Sequence, residues 1–155
     1  RVSAIAKTHL ADIETEDTLV ALIEFENGAV GTIEATTATR PSDLEGSISI
    51  LGSKGTVEIG GFAVNRLQTW KFDEEIEEDK YTIKNASENP PDVYGFGHQR
   101  YYETLYDVIE GDLVSSFPSA EESRKSLELI HAIYKSVEIS GFVELPLKEE
   151  FDRLG

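Results

Sequence analysis

An Asn-Gly dipeptide set between two apolar runs constrains this chain more than any other feature. Thr18-Leu19-Val20-Ala21-Leu22-Ile23-Glu24-Phe25 gives way to Asn27-Gly28, and Val30-Gly31-Thr32-Ile33-Glu34-Ala35-Thr36-Thr37 resumes at once. Asn and Gly tolerate positive φ at both central turn positions, so the local reading is strand, tight turn, strand. The first two thirds of the chain repeat that grammar. Val2–Leu10 reads as an opening strand. After the loop Ala38-Thr39-Arg40-Pro41-Ser42-Asp43, the stretch 46–51 alternates with period two. Gly52-Ser53-Lys54-Gly55 then turns the chain into Thr56-Val57-Glu58-Ile59. Gly60-Gly61 turns it again into a strand over Val64–Phe72, and Tyr81-Thr82-Ile83 reads as one more short strand. Short strands joined by tight turns predict an antiparallel meander.

Asn89-Pro90-Pro91-Asp92 breaks the pattern, and the period becomes helical from about Phe96. Tyr101, Leu105, Val108 and Ile109 share one face, and Gly111 stops the helix. Ser119-Ala120-Glu121-Glu122 has the form of a capping box, with Ser119 bonding forward and Glu122 reaching back. Leu127, Ile130, Ile133, Tyr134 and Val137 supply the apolar stripe of that second helix. Gly141 is expected at C′, and Phe142–Pro146 is expected to be extended. Strands first and helices second predict an α+β fold. The expected architecture is an open, mostly antiparallel sheet with helices on one face. The other face is then a candidate subunit interface. Residues 1–146 read as one domain and 147–155 as a polar tail.

Composition removes whole classes of function. Fourteen basic residues against 30 acidic ones give a net charge of −16. Such a surface repels phosphate backbones and anionic membranes, so neither nucleic acid nor membrane is an expected partner. No run approaches the roughly 18 apolar residues that a membrane helix needs. The chain has no Cys, which excludes disulfides, thiolate metal sites and a Cys nucleophile. That fits a reducing, cytoplasmic setting without requiring it. The chain also has no Met and opens on Arg1, which suggests that further sequence belongs upstream.

Few residues invite chemistry. His131 lies inside the second helix with no ligand partner four residues away, and is read as a packing residue. His9 stands near Asp12 and Glu14, but acidic neighbours are common in this composition, and a structural role is preferred to a metal. The run Asp73–Asp79 lacks the alternating ligands and central Gly of an EF-hand and reads as a solvated hairpin loop. His98 sits in Tyr94-Gly95-Phe96-Gly97-His98-Gln99-Arg100-Tyr101-Tyr102, where a loop becomes a helix. Helix starts expose N–H groups, and two glycines admit a ligand to the backbone. The segment can grip sugar hydroxyls or phosphate, or it is an ordinary Gly-rich helix start. Arg40 is an anion clamp or a surface partner of Asp43 or Glu45. Gly95-Phe96-Gly97 is no dinucleotide fingerprint, and no Walker sequence, Gly-x-Ser-x-Gly or His-Glu-x-x-His is present. No catalytic and no metal-binding residue is assigned.

The order of these pieces resembles a known family. The segment 16–35, from Glu16 to Ala35, resembles the sheet-opening hairpin of the Gfo/Idh/MocA oxidoreductases. The similarity continues through 46–57, returns at Gly97-His98, and ends with 119–137 followed by Val143-Glu144-Leu145-Pro146. The resemblance implies the C-terminal domain of a two-domain enzyme. Its Rossmann domain, which would bind NAD or NADP, would lie upstream of Arg1. It implies no cofactor and no catalytic group in this chain, which alone would be inert. It implies substrate-pocket roles for His98, Arg40 and Tyr94, and a homo-oligomer paired through the sheet. The implied substrate is a sugar or nucleotide sugar, with nucleotide-sugar uronate dehydrogenases the nearest in texture. The alternative is a standalone binding or assembly module that uses the open sheet face without redox chemistry.

Overall fold

The computed structural model describes residues 1–74, 76–90, 94–111 and 118–148. In chain order they form β1 (Val2–Lys7), β2 (Thr18–Glu24), β3 (Val30–Thr36), β4 (Ile48–Gly52), β5 (Gly55–Gly60) and β6 (Arg66–Phe72). Three helices follow, α1 (Glu77–Asn85), α2 (Gly97–Glu110) and α3 (Ala120–Ile139). All strand pairing is antiparallel, in two open three-stranded sheets, β1-β2-β3 and β4-β5-β6. The chain divides into two compact units, residues 1–40 with 118–155, and residues 41–117. This is the expected α+β class, with the meander split into two sheets.

The first unit is a helix-backed sheet. Alternation sends Val2, Ala4, Leu19 and Ala21 to one face, where they meet Ala132 and Ile133 of α3, and Val143. Val143 bridges back to Val2 by a reciprocal pair of 2.9 Å backbone hydrogen bonds, so the segment after α3 closes the sheet's edge. Burying each of these branched side chains contributes about 1.5–3 kcal/mol. Ser136 is fully buried where α3 crosses the sheet. Its Oγ accepts from the Ala4 N–H at 2.9 Å and donates to the Gly141 carbonyl at 2.6 Å. Tyr134 ties the same helix to the β1–β2 loop by donating to Glu16 at 2.7 Å. That bond, helped by burial, raises the Tyr134 hydroxyl above its ordinary pKa.

The opposite face carries the other half of the alternation. Ile5, Val20 and Leu22 stand in its centre, 69%, 44% and 54% exposed. By register the same face holds Ser3, Thr32 and Thr36, with Lys7, Glu34 and the Arg1–Glu24 ion pair as its charges. The face is therefore apolar at its centre and neutral as a whole, on a chain of net charge −16.

Local chemistry explains the element ends. The Asn-Gly hairpin closes with a three-residue loop: the Gly28 N–H donates to the Phe25 carbonyl and the Phe25 N–H to the Ala29 carbonyl. Only Gly28 takes positive φ, at +84°, while the Asn27 side chain accepts from the Ala29 N–H. That is a type I turn followed by a left-handed residue, the next commonest hairpin closure after the two-residue turn. Gly111 ends α2 in the left-handed region as expected, and Ser119 with Glu122 forms the expected capping box on α3. At the end of α3 the left-handed residue is Ser140, at φ +53°, rather than Gly141.

Several expectations are corrected. Tyr81-Thr82-Ile83 is no strand but the centre of α1, and Glu77–Asp79 form that helix's first turn rather than a hairpin loop. Carboxylates suit a helix N-terminus, and Asp79 accepts from the Ile76 N–H at 2.8 Å and from Trp70 Nε1 at 2.7 Å. These bonds hold the Asp79 carboxyl below its ordinary pKa. The strand expected over Val64–Phe72 begins at Arg66, because Val64 lies in the preceding turn at φ +52°. Of the proposed tail, Leu147 packs against the core and its N–H donates to Glu128 at 2.7 Å, while residues 149–155 lie outside the described residues.

Candidate functional site

Among the described residues, the start of α2 is where the structure gathers side chains that the sequence singles out, Tyr94 and His98. Gly95 turns at φ +66°, Phe96 is the N-cap without a side-chain capping bond, and Gly97 opens the helix. The first-turn N–H groups therefore have no side-chain acceptor from the cap. No acidic residue occupies that turn, whereas α1 places three carboxylates there and α3 two. A helix start of this kind favours negative charge or lone-pair donors. A Cβ at Gly97 would meet nothing within 4 Å, so the backbone there is open to approach.

His98 is exposed in that first turn, and Tyr94 stands against it edge-on with ring centroids 6.1 Å apart. Tyr101 and Tyr102 form a second edge-on pair at 5.5 Å. Gln99 is committed to Glu103 at 2.7 Å, and Arg100 lies 3.6 Å from Glu88. The structure thus brings Tyr94 and His98 together in the second unit. Arg40 belongs to the first unit. Its Nη1 donates to the carbonyls of Thr37 at 3.3 Å and Thr39 at 2.7 Å. A guanidinium held by its own loop and exposed to solvent keeps its charge available to an anion.

The other histidines have structural surroundings. His131 is half-buried on α3, with Nδ1 lacking a hydrogen-bond partner among the described residues. His9 belongs to a backbone nest around a carboxylate that the sequence reading passed over. The N–H groups of His9, Leu10 and Ala11 converge on Asp17 Oδ2 at 2.8, 2.6 and 3.0 Å. Thr18 donates to Oδ1 at 3.0 Å. This also ends β1 at Lys7, earlier than the expected Leu10. Asp17 is only 2% exposed, and the bonds from Ala11 and Leu10 above all hold its carboxyl far below the ordinary range against the opposing effect of burial.

A depressed folded-state pKa means that the unfolded chain takes up the proton first as the pH falls. Stability from Asp17 is then complete above the ordinary value of 3.8 and is lost progressively below it. Urea midpoints measured at steps from pH 6 to pH 2.5 are expected to fall for the wild type below about pH 4. Asp17→Asn is expected to start lower and to show a shallower fall; equal slopes would refute the assignment.

No part of the described chain forms a dinucleotide cradle. Every strand pairing is antiparallel, and α2 follows no parallel strand. Gly95 and Gly97 are therefore not the glycines of a Rossmann phosphate loop.

The description "Oxidoreductase family, C-terminal alpha/beta domain" matches residues 2–145, nearly the whole chain. The chain belongs to the Gfo/Idh/MocA oxidoreductase family, as its C-terminal domain. No curated protein matches the sequence. Among solved structures, this Gfo/Idh/MocA domain is similar to the WlbA dehydrogenase of Bordetella pertussis in complex with NADH and UDP-GlcNAcA. Identity is 43% and the TM-score 0.85, over 95% of this chain and 42% of that one. The WlbA dehydrogenase of Chromobacterium violaceum, also in complex with NADH and UDP-GlcNAcA, shows 40% identity and a TM-score of 0.82, over 96% of this chain and 40% of that one. Levoglucosan dehydrogenase in complex with NADH and levoglucosan shares the fold at 22% identity and a TM-score of 0.65, with 94% of this chain and 44% of that one covered. The chain thus spans about two fifths of the WlbA chains that it matches. Among the described residues, no helix is long and apolar enough to cross a membrane.

The sequence reading missed Asp17 and the polar cluster of Asn65, Arg66, Glu88 and Asn89. Asp17 is one carboxylate among many in the sequence, and only the fold of 8–16 around it marks it out. Asn89 precedes Pro90, a pair that signals a break in the strand pattern and says nothing about the partners of Asn89.

Proposed function

We propose that this chain is the substrate-pocket and subunit-pairing part of an NAD(P)-dependent dehydrogenase acting on a nucleotide sugar. The observation that carries the reading is identity of 40% and 43%, over almost the whole chain, to two dehydrogenases crystallised with NADH and UDP-GlcNAcA. An N-terminal Rossmann domain would bind the dinucleotide, and the nicotinamide would exchange hydride with a CH–OH carbon. The residues of this chain would bind and orient. Tyr94 and His98 would present an aromatic edge and an imidazole to the sugar, and the open N–H groups of α2 would face its negative charge. Arg40, in the first unit, would offer an anion contact of its own. The neutral, apolar face of β1-β2-β3 would pair two copies, since like-charged proteins meet most readily where charge is absent.

The whole protein is expected to reduce NAD or NADP with UDP-GlcNAcA, followed as absorbance of the reduced nicotinamide. His98→Ala is expected to raise KM for the nucleotide sugar about tenfold, the loss of one hydrogen bond to a charged ligand. Failure to turn over any nucleotide sugar would overturn the substrate class. An unchanged KM in His98→Ala would remove α2 from the pocket.

A further inference from the structure

The segment that leads toward Tyr94 and His98 is stitched to the start of β6. Asn89 Oδ1 accepts from Arg66 Nη2 at 3.1 Å, from Arg66 Nε at 3.3 Å and from Asn65 Nδ2 at 3.3 Å. Asn65 Nδ2 also donates to the Glu88 carbonyl, and the Glu88 N–H donates to the Asn65 carbonyl at 3.4 Å. One residue earlier, Ser87 bridges Arg66, and its Oγ accepts from the Leu67 N–H at 3.2 Å. Three consecutive residues, 87–89, are therefore held by backbone and side chain together.

Two contacts run from this strap to the start of α2. Glu88 Oε2 lies 3.6 Å from Arg100 Nη2, two residues beyond His98. Pro90 is buried beside Gly95, where an added Cβ would lie 4.0 Å from Pro90 Cγ. An exposed ion pair alone contributes little. Several donors converging on one oxygen, one of them a guanidinium, fix a geometry that a single exposed bond cannot.

We propose that Asn89 is a positioning residue for substrate, clamping the strap so that Tyr94 and His98 are presented in one arrangement. This rests on the reading of those two residues given under the proposed function. Asn89 touches no substrate in this scheme; it removes conformations from the groups that do, and so lowers the cost of binding. Because the clamp uses Asn89 as an acceptor, an aspartate in its place keeps the oxygen and strengthens the bond to Arg66.

The test uses the whole protein with NAD and UDP-GlcNAcA as the probes. Asn89→Ala is expected to raise KM for UDP-GlcNAcA about tenfold while kcat and the melting temperature change little. Asn89→Asp is expected to restore a KM close to wild type. An unchanged KM in Asn89→Ala overturns the proposal, as does an Asn89→Asp variant as impaired as the alanine. His98→Ala assayed in parallel separates the two ideas. If it raises KM and Asn89→Ala does not, the clamp alone falls. If both variants, or His98→Ala alone, leave KM unchanged, the site reading falls with whatever rests on it.

Discussion

Ser136→Ala is expected to lower unfolding free energy by about 2–6 kcal/mol, from two main-chain groups each losing a buried partner at roughly 1–3 kcal/mol. The hydroxyl is fully buried and serves two masters: it accepts from the Ala4 N–H of β1 and donates to the Gly141 carbonyl beyond α3. Alanine keeps the volume nearly constant, so the effect isolates the hydrogen bonds from packing. Water cannot replace them at a site with no exposure. Urea unfolding read by circular dichroism gives the number directly. Ser126→Ala, on the exposed side of the same helix, is the control and is expected within about 0.5 kcal/mol of wild type. Equal stabilities for the two variants would show that α3 is not pinned to β1 in this way.

Val20→Asp is expected to weaken self-association of the whole protein on the order of 100-fold while leaving the fold intact. Val20 stands at the centre of the open face between Ile5 and Glu34, on the middle strand of the sheet. It is 44% exposed in the single chain, so a carboxylate there stays hydrated in the monomer. In a paired state each copy would bury that charge against the apolar centre of the other, at the cost of its hydration. Sedimentation velocity over a concentration series reads the change. A wild type that is monomeric throughout, or a variant that associates as before, would remove the face from any interface.

The strand meander, the helical last third, the Gly111 stop and the Ser119–Glu122 cap were all legible because each depends on residues close in sequence. In 18–36 the strand, turn, strand order was legible, but a nearly continuous apolar run does not say which side is buried; packing against α3 selects Leu19 and Ala21. Of the stripe expected over 127–137, Ile133 is buried and Tyr134 and Val137 are half-buried, whereas Leu127 and Ile130 stay exposed. The reading failed at 77–85, where Tyr81-Thr82-Ile83 is rich in strand formers but too short to set its own period. The carboxylate of Asp79, caught between the Ile76 N–H and Trp70, decided for helix.

What the sequence determined by itself, then, is the alternation, the turns and the caps, since those energies act over four or five residues. The residue types at the start of α2, two glycines with Tyr94 and His98, were visible for the same reason. Tertiary structure alone decided that β1-β2-β3 and β4-β5-β6 form separate sheets, that Asp17 gathers three N–H groups, and that Asn89 meets Arg66 across 23 positions. Those outcomes depend on partners far apart in the chain, and a polar side chain carries no mark of which distant donor it will find until burial and backbone geometry bring the two together.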